Sequence, residues 1–436
     1  MTVSCEMTSP GIHLFVEKRN HRLQYTVFEI FMRRMGISAV LVADIDDFEA
    51  HTGPKLNYST QTVSEGIPTL APLGILFEKR IQPHEIEWSV EGDLLFPIQN
   101  HVLGFDPLAA IFYLLSRYEE YLPHRKDEHG RFLSEQSVLV EANCHQVPLV
   151  ELYVDRLFEW LAGFYPSLKR SKSSYTPWVT LDVDQLFSMK AKGLVRSVVS
   201  TARDALRGRL MERTSVMLGR KSDPNDIYDR VDAILQPKQL RPVFFMQVGE
   251  SSRYDVNNPP HLYDVRQRIN EIALSGEIGL HPSYYSSERD GTIARELERL
   301  RQITSSGVSK SRQHFLRFIL PQTFRTLAES GVTDDFSIGF HDRNGFRAGT
   351  CKPFGLFDLE KDETIQLTMY PMAWMDLVAT RNFPREQDAW EELDRLLSAV
   401  KAHGGHFVST WHPDVMAASD EHYSTWNIFE RFVEHA

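Results

Sequence analysis

Two carboxylates stand two residues apart in the stretch LDVDQ, at Asp182 and Asp184. The preceding WVT, Trp178 to Thr180, reads as the start of a buried strand, and residues i and i+2 of a strand point to the same side. Two like charges this close repel, and one pKa rises unless a metal or an arginine lies between them. His281 ends a second strand-like run, EIGLH, and His412 ends a third, HFVSTWH; Asp376 lies a few residues past TIQLTMYP. Carboxylates with imidazoles are a reasonable ligand set for a divalent metal. These residue types at strand ends point to a metal-dependent hydrolase. Each also has a plainer use. A lone strand-end histidine can be a hydrogen-bonded core residue, and an aspartate after a strand can cap the next helix.

The elements that must position these residues alternate in type. WVTLDVD, RPVFFMQVG from Arg241, EIGLH from Glu277, TIQLTMYP from Thr364 and HFVSTWHP from His406 read as strands. YDVRQRINEIALSG, ERDGTIARELERLRQIT and EQDAWEELDRLLSAVKAHGG read as helices between them. Such alternation implies a parallel sheet, open or closed into a barrel, with chemistry gathered at the C-terminal strand ends. Before the polar, basic, proline-bounded PSLKRSKSSYTP, from Pro166 to Pro177, the pattern is mixed. SAVLVADI reads as a strand and LVELYVDRLFEWLAGF as a helix. DPLAAIFYLLSRYEEYL reads as an amphipathic helix with Asp106 as its N-cap and Pro107 at its first position. The expected organisation is therefore an α+β part over 1–171 and an α/β part over 172–436.

The chain has 436 residues, 42% of them apolar, and a formal charge of −11. Two domains are the natural expectation for that length, and the negative charge argues against a dedicated nucleic-acid binder. No apolar run is long enough to span a membrane, and the N-terminus lacks the pattern of a signal peptide. Cys5, Cys144 and Cys351 have neither metal-ligand nor disulfide spacing. A cytoplasmic protein is expected. One tract departs from the acidic average: Lys190 to Lys221 carries nine Lys or Arg and only two acids, Asp204 and Glu212. It is either a solvated insertion or a patch for anionic sugars or a membrane surface.

The motifs over residues 173–436 resemble, in order, those of the NodB-homology polysaccharide deacetylases (carbohydrate esterase family 4). TLDVD, with Thr180, Asp182 and Asp184, is similar to the first motif, and EIGLHPSYYS to the second. SRQHFLRF supplies the arginine of the third, at Arg312 or Arg317. DDFSIGFHDRNGFRAGT resembles a further segment, and STWHPDV the last motif. FDPLAAIFYLLSRYEEYL resembles an uncharacterised bacterial domain that often precedes such deacetylase domains.

The resemblance implies a distorted (β/α) barrel preceded by a smaller α+β domain. It also implies hydrolytic removal of an acyl group, foremost N-acetyl, from an amino sugar or polysaccharide precursor. Asp184 and His281 would hold a divalent metal, zinc first and cobalt, nickel or manganese next. Asp182 would be the general base, steadied by Arg312, and His412 the acid that protonates the leaving amine. Tyr284, Tyr285 and Trp411 are candidates for stacking on sugar, and Asp335 and Arg347 for lining the site; Trp374 lies nearby. One departure stands out: the second motif has a second histidine four positions after the first, where this chain has Tyr285. Three readings follow. His314 supplies the missing ligand; or Asp184 and His281 hold the metal weakly with more water; or the domain binds no metal and serves to bind glycans or partners. A hydrolase of another C–N bond is a further alternative.

Overall fold

The strand that carries the paired acids is buried on both faces, as expected for the middle of a parallel sheet. It runs over Thr176–Val183, and everything from Val179 onward is buried. The computed structural model of the chain describes residues 11–90, 92–192, 201, 205–206, 208–305, 307–418 and 423–436.

In chain order the strands are β1 Ile12–Phe15, β2 Ala39–Val42, β3 Lys55–Asn57, β4 Thr176–Val183, β5 Val243–Met246 and β6 Glu277–Leu280. They continue with β7 Lys310–Ser311, β8 Asp334–Asp335, β9 Phe354–Asp358, β10 Glu363–Met369, β11 Met372–Met375 and β12 His406–Trp411. The first three form a small parallel sheet in the order β2-β1-β3. The other nine form one sheet in the order β11-β12-β4-β5-β6-β7-β8-β10-β9. All its pairings are parallel except β10 with β9. The barrel expected from the sequence is present as a curled half-barrel, because the edge strands β11 and β9 do not pair among the described residues.

Register decides what meets at the C-terminal edge. Val183 pairs with Met246, Met246 with Leu280, and Leu280 with Ser311. The next residues in line are therefore Asp184, Gln247, His281 and Arg312. On the other flank Trp411 pairs with Leu181, which sets His412 level with Asp182. A one-residue slip in any pair would turn these side chains away from one another.

The expected helices are present over Tyr263–Ser275, Thr292–Thr304, Glu386–Ala402 and Leu149–Phe164. The Asp106 carboxylate caps Pro107–Leu115 by accepting from the Ala109 amide at 3.0 Å. That helix is not amphipathic as expected: all nine of its residues are buried. Phe112 packs on Tyr25 and on Phe357 of β9, so the helix is enclosed by elements from both parts of the chain. One apolar cluster accordingly runs from Ile12 to Val433. Buried ions span the same junction. Glu120 meets both Arg117 and Arg347, at 2.9 and 2.7 Å, and Arg34 meets Glu29 at 2.7 Å. Among the described residues no helix is long and apolar enough to cross a membrane. The basic tract at 190–221 lies partly outside the described residues. Within the described part, Lys190 faces Asp226 and Arg209 pairs with Glu212.

Candidate active site

Asp184, His281 and His314 each present one ligand atom, and these atoms lie within 4.8 Å of one another. Asp184 Oδ1 is 3.1 Å from His281 Nε2 and 3.4 Å from His314 Nε2. Donors about 2.0–2.1 Å from a tetrahedral cation stand about 3.3 Å apart, so the spacing fits. Asp184 Oδ1 is buried without a hydrogen-bond partner, a costly arrangement that a cation would relieve. Both imidazoles are oriented from behind. His281 Nδ1 donates to the Arg312 carbonyl at 2.6 Å, and His314 Nδ1 lies 3.1 Å from Asp255 Oδ1 and 2.9 Å from Gln247 Nε2. Each Nε2 is thereby turned toward Asp184, the orientation usual for metal-ligating histidine. Burial would raise the Asp184 carboxyl, but the charge of His314 and the facing His281 hold it well below the usual range. Burial would lower His314, yet Asp184 and Asp255 push it up to about 9. The donor set and its supports fit a divalent cation.

Beside this trio sit Asp182 and His412. Asp182 Oδ1 accepts from Arg312 Nη1 at 2.8 Å, leaving Oδ2 toward His412 Nε2 at 3.9 Å. Arg312 is fully buried and also donates to Thr180 Oγ1 and to the Phe336 carbonyl. His412 Nδ1 meets Asp376 Oδ1 at 2.6 Å, and the His412 amide donates to Asp376 Oδ2 at 2.8 Å. Burial opposes protonation of His412, but Asp376, with help from Asp182, raises it to about 10. The ring is therefore a proton donor at neutral pH.

These groups line a cleft of about 310 Å³. Met375, Leu377, Phe315 and Leu316 supply apolar surface, and Arg381 stands exposed at its rim. One wall comes from the N-terminal part: Glu128, His129 and Arg131. Asp127 shapes that turn by accepting from the amides of His129 and Arg131, both at 2.9 Å. Against the same turn, with Nε2 3.5 Å from Asp127 Oδ2, His341 is pushed down to about 4 by burial and the nearby Arg131, so this imidazole is neutral. Phe315 and Leu316, which follow His314, have φ of +61° and +51°. Each such non-glycine residue costs about 1–2 kcal/mol.

The structure brings together Asp182, Asp184, His281, Arg312, His314 and His412. It does not bring the rest of the expected site residues to the cleft. Arg347 is committed to Glu120 and the Gly339 carbonyl, and Asp335 is buried in β8 accepting from Ser311 Oγ and the Ser337 amide. Trp411 is wholly buried against Trp374 and Phe429. Tyr284 stacks on Tyr254 at 4.1 Å and shares a hydrogen bond with His129. Tyr285 lies beside Arg289, and it is His314 that stands with Asp184 and His281 in the candidate metal trio. In each case packing, not the cleft, claims the side chain. Sequence reasoning missed Asp255, His129, Arg131 and His341. The turn KDEHGR reads in sequence only as a charged, glycine-containing loop with nothing to tie it to the site, while His341 lies within the DDFSIGFHDRNGFRAGT segment.

Residues 12–166 match a family of unknown function (DUF7033), in agreement with the resemblance noted for the N-terminal part. In structure, 61% of the chain is similar to a candidate polysaccharide deacetylase from Mycobacterium smegmatis, covering 84% of that chain at 18% identity and a TM-score of 0.41. The same share is similar to a mutant of a CE4 family pseudoenzyme with restored enzymatic activity, covering 64% of it at 11% identity and a TM-score of 0.29. No curated protein matches the sequence. Superpositions this loose carry no functional argument.

Proposed function

We propose that the chain is a metal-dependent hydrolase that removes an N-acyl group, foremost N-acetyl, from an amino sugar or polysaccharide precursor. The observation that carries this reading is the convergence in one cleft of a carboxylate–imidazole–imidazole trio with a separately held base and acid. Asp184, His281 and His314 would hold the cation, zinc first. When bound, such a cation supplies Lewis-acid polarisation of the amide carbonyl and eases loss of a proton from water. Asp182, fixed through Oδ1 by Arg312, takes that proton on Oδ2. The water oxygen bonds to the carbonyl carbon, the C–N bond breaks, and His412 Nε2 gives its proton to the leaving nitrogen. Acetic acid and the free amine result, the acid loses its proton to solvent, and the proton held by Asp182 restores His412. Base and acid face each other at 3.9 Å, so the amide must sit at the mouth of that gap.

The division at residue 171 is proposed as one of labour. Residues 172–436 carry ligands, base and acid, and the preceding part supplies a wall of the cleft. The test is metal analysis with an assay on N-acetylated amino sugars. About one zinc per chain and zinc-dependent release of acetate are expected. A purified chain that takes up no Zn, Co, Ni or Mn and releases no acetate would overturn the hydrolase in favour of a glycan-binding domain.

A further inference from the structure

His314 reaches the metal trio from a turn that its own sequence disfavours. Phe315, with φ +61° and ψ 11°, and Leu316, with φ +51°, are consecutive left-handed residues without glycine. The N-terminal part grips this turn from outside. Arg131 Nη1 donates to the Phe315 carbonyl at 2.9 Å, and the His129 ring lies 5.0 Å from that of Phe315. The grip is reciprocal, because Arg317 Nε donates to the His129 carbonyl at 2.7 Å. Arg131 is itself fixed, by Nε on Asp127 Oδ2 at 2.8 Å. No comparable bridge is needed at His281, which leaves β6 directly and is held by the sheet-edge carbonyl of Arg312.

The geometry points to Arg131 as a positioning residue for the third metal ligand: the N-terminal part sets metal affinity by locking the strained turn that presents His314. This rests on the metal-hydrolase reading above, and it gives the N-terminal part a task in the same site. It also accounts for how a chain with Tyr285 at the position of the usual histidine completes a three-ligand cluster.

The test is zinc affinity of the full-length chain, read by competition with a chromophoric chelator, together with thermal unfolding of the zinc-stripped protein. Arg131→Ala is expected to weaken zinc binding by about 10–100-fold, the effect typical of losing a group that orients a ligand. Adding Phe315→Gly removes the steric cost of the left-handed turn. The double variant is therefore expected to bind zinc more tightly than Arg131→Ala alone, which a merely structural role would not produce. Asp127→Asn, which frees Arg131 without removing it, should weaken binding in the same direction by a smaller factor and covers failure of Arg131→Ala to fold. Wild-type protein that binds one zinc, with Arg131→Ala and Asp127→Asn within twofold of it, overturns this inference alone. Wild-type protein that binds none overturns the hydrolase reading, and this inference with it.

Discussion

Two regions of the molecule bury charge, and they do it differently. At the junction of the two parts, Glu120 is matched by Arg117 and Arg347, and Arg34 by Glu29 with Glu151 nearby; these acids have short, oriented partners. At the sheet edge, Asp184 has an orphaned Oδ1, partners that are titratable imidazoles, and a cleft in front of it. Guanidinium pairs stay charged at any relevant pH, so the first arrangement is closed and structural. The second is left incomplete on the side that faces the cleft, which is where a cation and a substrate could enter. Buried charge alone does not mark function here; buried charge left unmatched beside a cleft does.

The largest expected effects come from cutting one acid in each region. Asp184→Asn removes a carboxylate that His314 and His281 hold well below its usual pKa, so it should lower the unfolding midpoint of the metal-stripped chain at neutral pH, but by less than the loss of a guanidinium-paired acid. It should abolish zinc uptake and lower turnover by on the order of a thousandfold, the loss of several kcal/mol of charge stabilisation. Glu120→Ala should do the reverse. It leaves two buried guanidiniums short of a partner and costs about 3–5 kcal/mol in urea unfolding, with zinc affinity unchanged. If Asp184→Asn unfolds as readily as Glu120→Ala while still taking up zinc, the distinction between the regions collapses.

A smaller effect sharpens the comparison within the cleft. Asp376 is what keeps His412 protonated up to about pH 10 against the pull of burial. Asp376→Asn leaves burial less opposed and drops that pKa part of the way toward the ordinary 6.5, since Asp182 and Asp184 still favour the proton. The acid form is the one present below the pKa, so the alkaline limb of kcat/KM should move down by about 1–3 units. An unmoved alkaline limb would remove His412 from the role of acid.

The contrast also explains what the sequence made legible. Asp182, Asp184, His281 and His412 could be found because each ends a strand, and parallel pairing brings strand ends to one edge. His314 could be suspected only from its place beside Arg312. His129 and Arg131 could not be found, because a turn from the first third of the chain reaches the cleft through contacts more than 180 residues apart in sequence. Arg347 misled for a related reason: its motif lies beside the site in sequence, but Glu120 draws its guanidinium into the junction. The same junction explains why the sequence suggested two cores while one apolar cluster spans both parts. Pro107–Leu115 has polar neighbours in sequence but is enclosed on every side in space.

The smallest expected effect concerns two carboxylates on either side of Arg312. That guanidinium gives a 2.8 Å hydrogen bond to Asp182 and none to Asp335, which is wholly buried among Ser311 and Ser337. Burial therefore dominates at Asp335 and raises its carboxyl from 3.8 to about 6. A carboxyl whose pKa is raised by folding adds stability that is fully present below pH 3.8 and is lost as pH rises through about 6. The carboxyls of Asp184, Asp255 and Glu120 are depressed and pull the other way, so the profile of the whole protein does not isolate Asp335. The difference between wild type and Asp335→Asn does. Asparagine keeps an acceptor for the Ser337 amide and cannot ionise. Relative to wild type it should therefore gain about 2–3 kcal/mol on going from pH 4 to pH 7.5. Parallel urea titrations of the two proteins measure this directly. Curves that stay a constant distance apart over that range would mean that Arg312 serves Asp335 as fully as it serves Asp182.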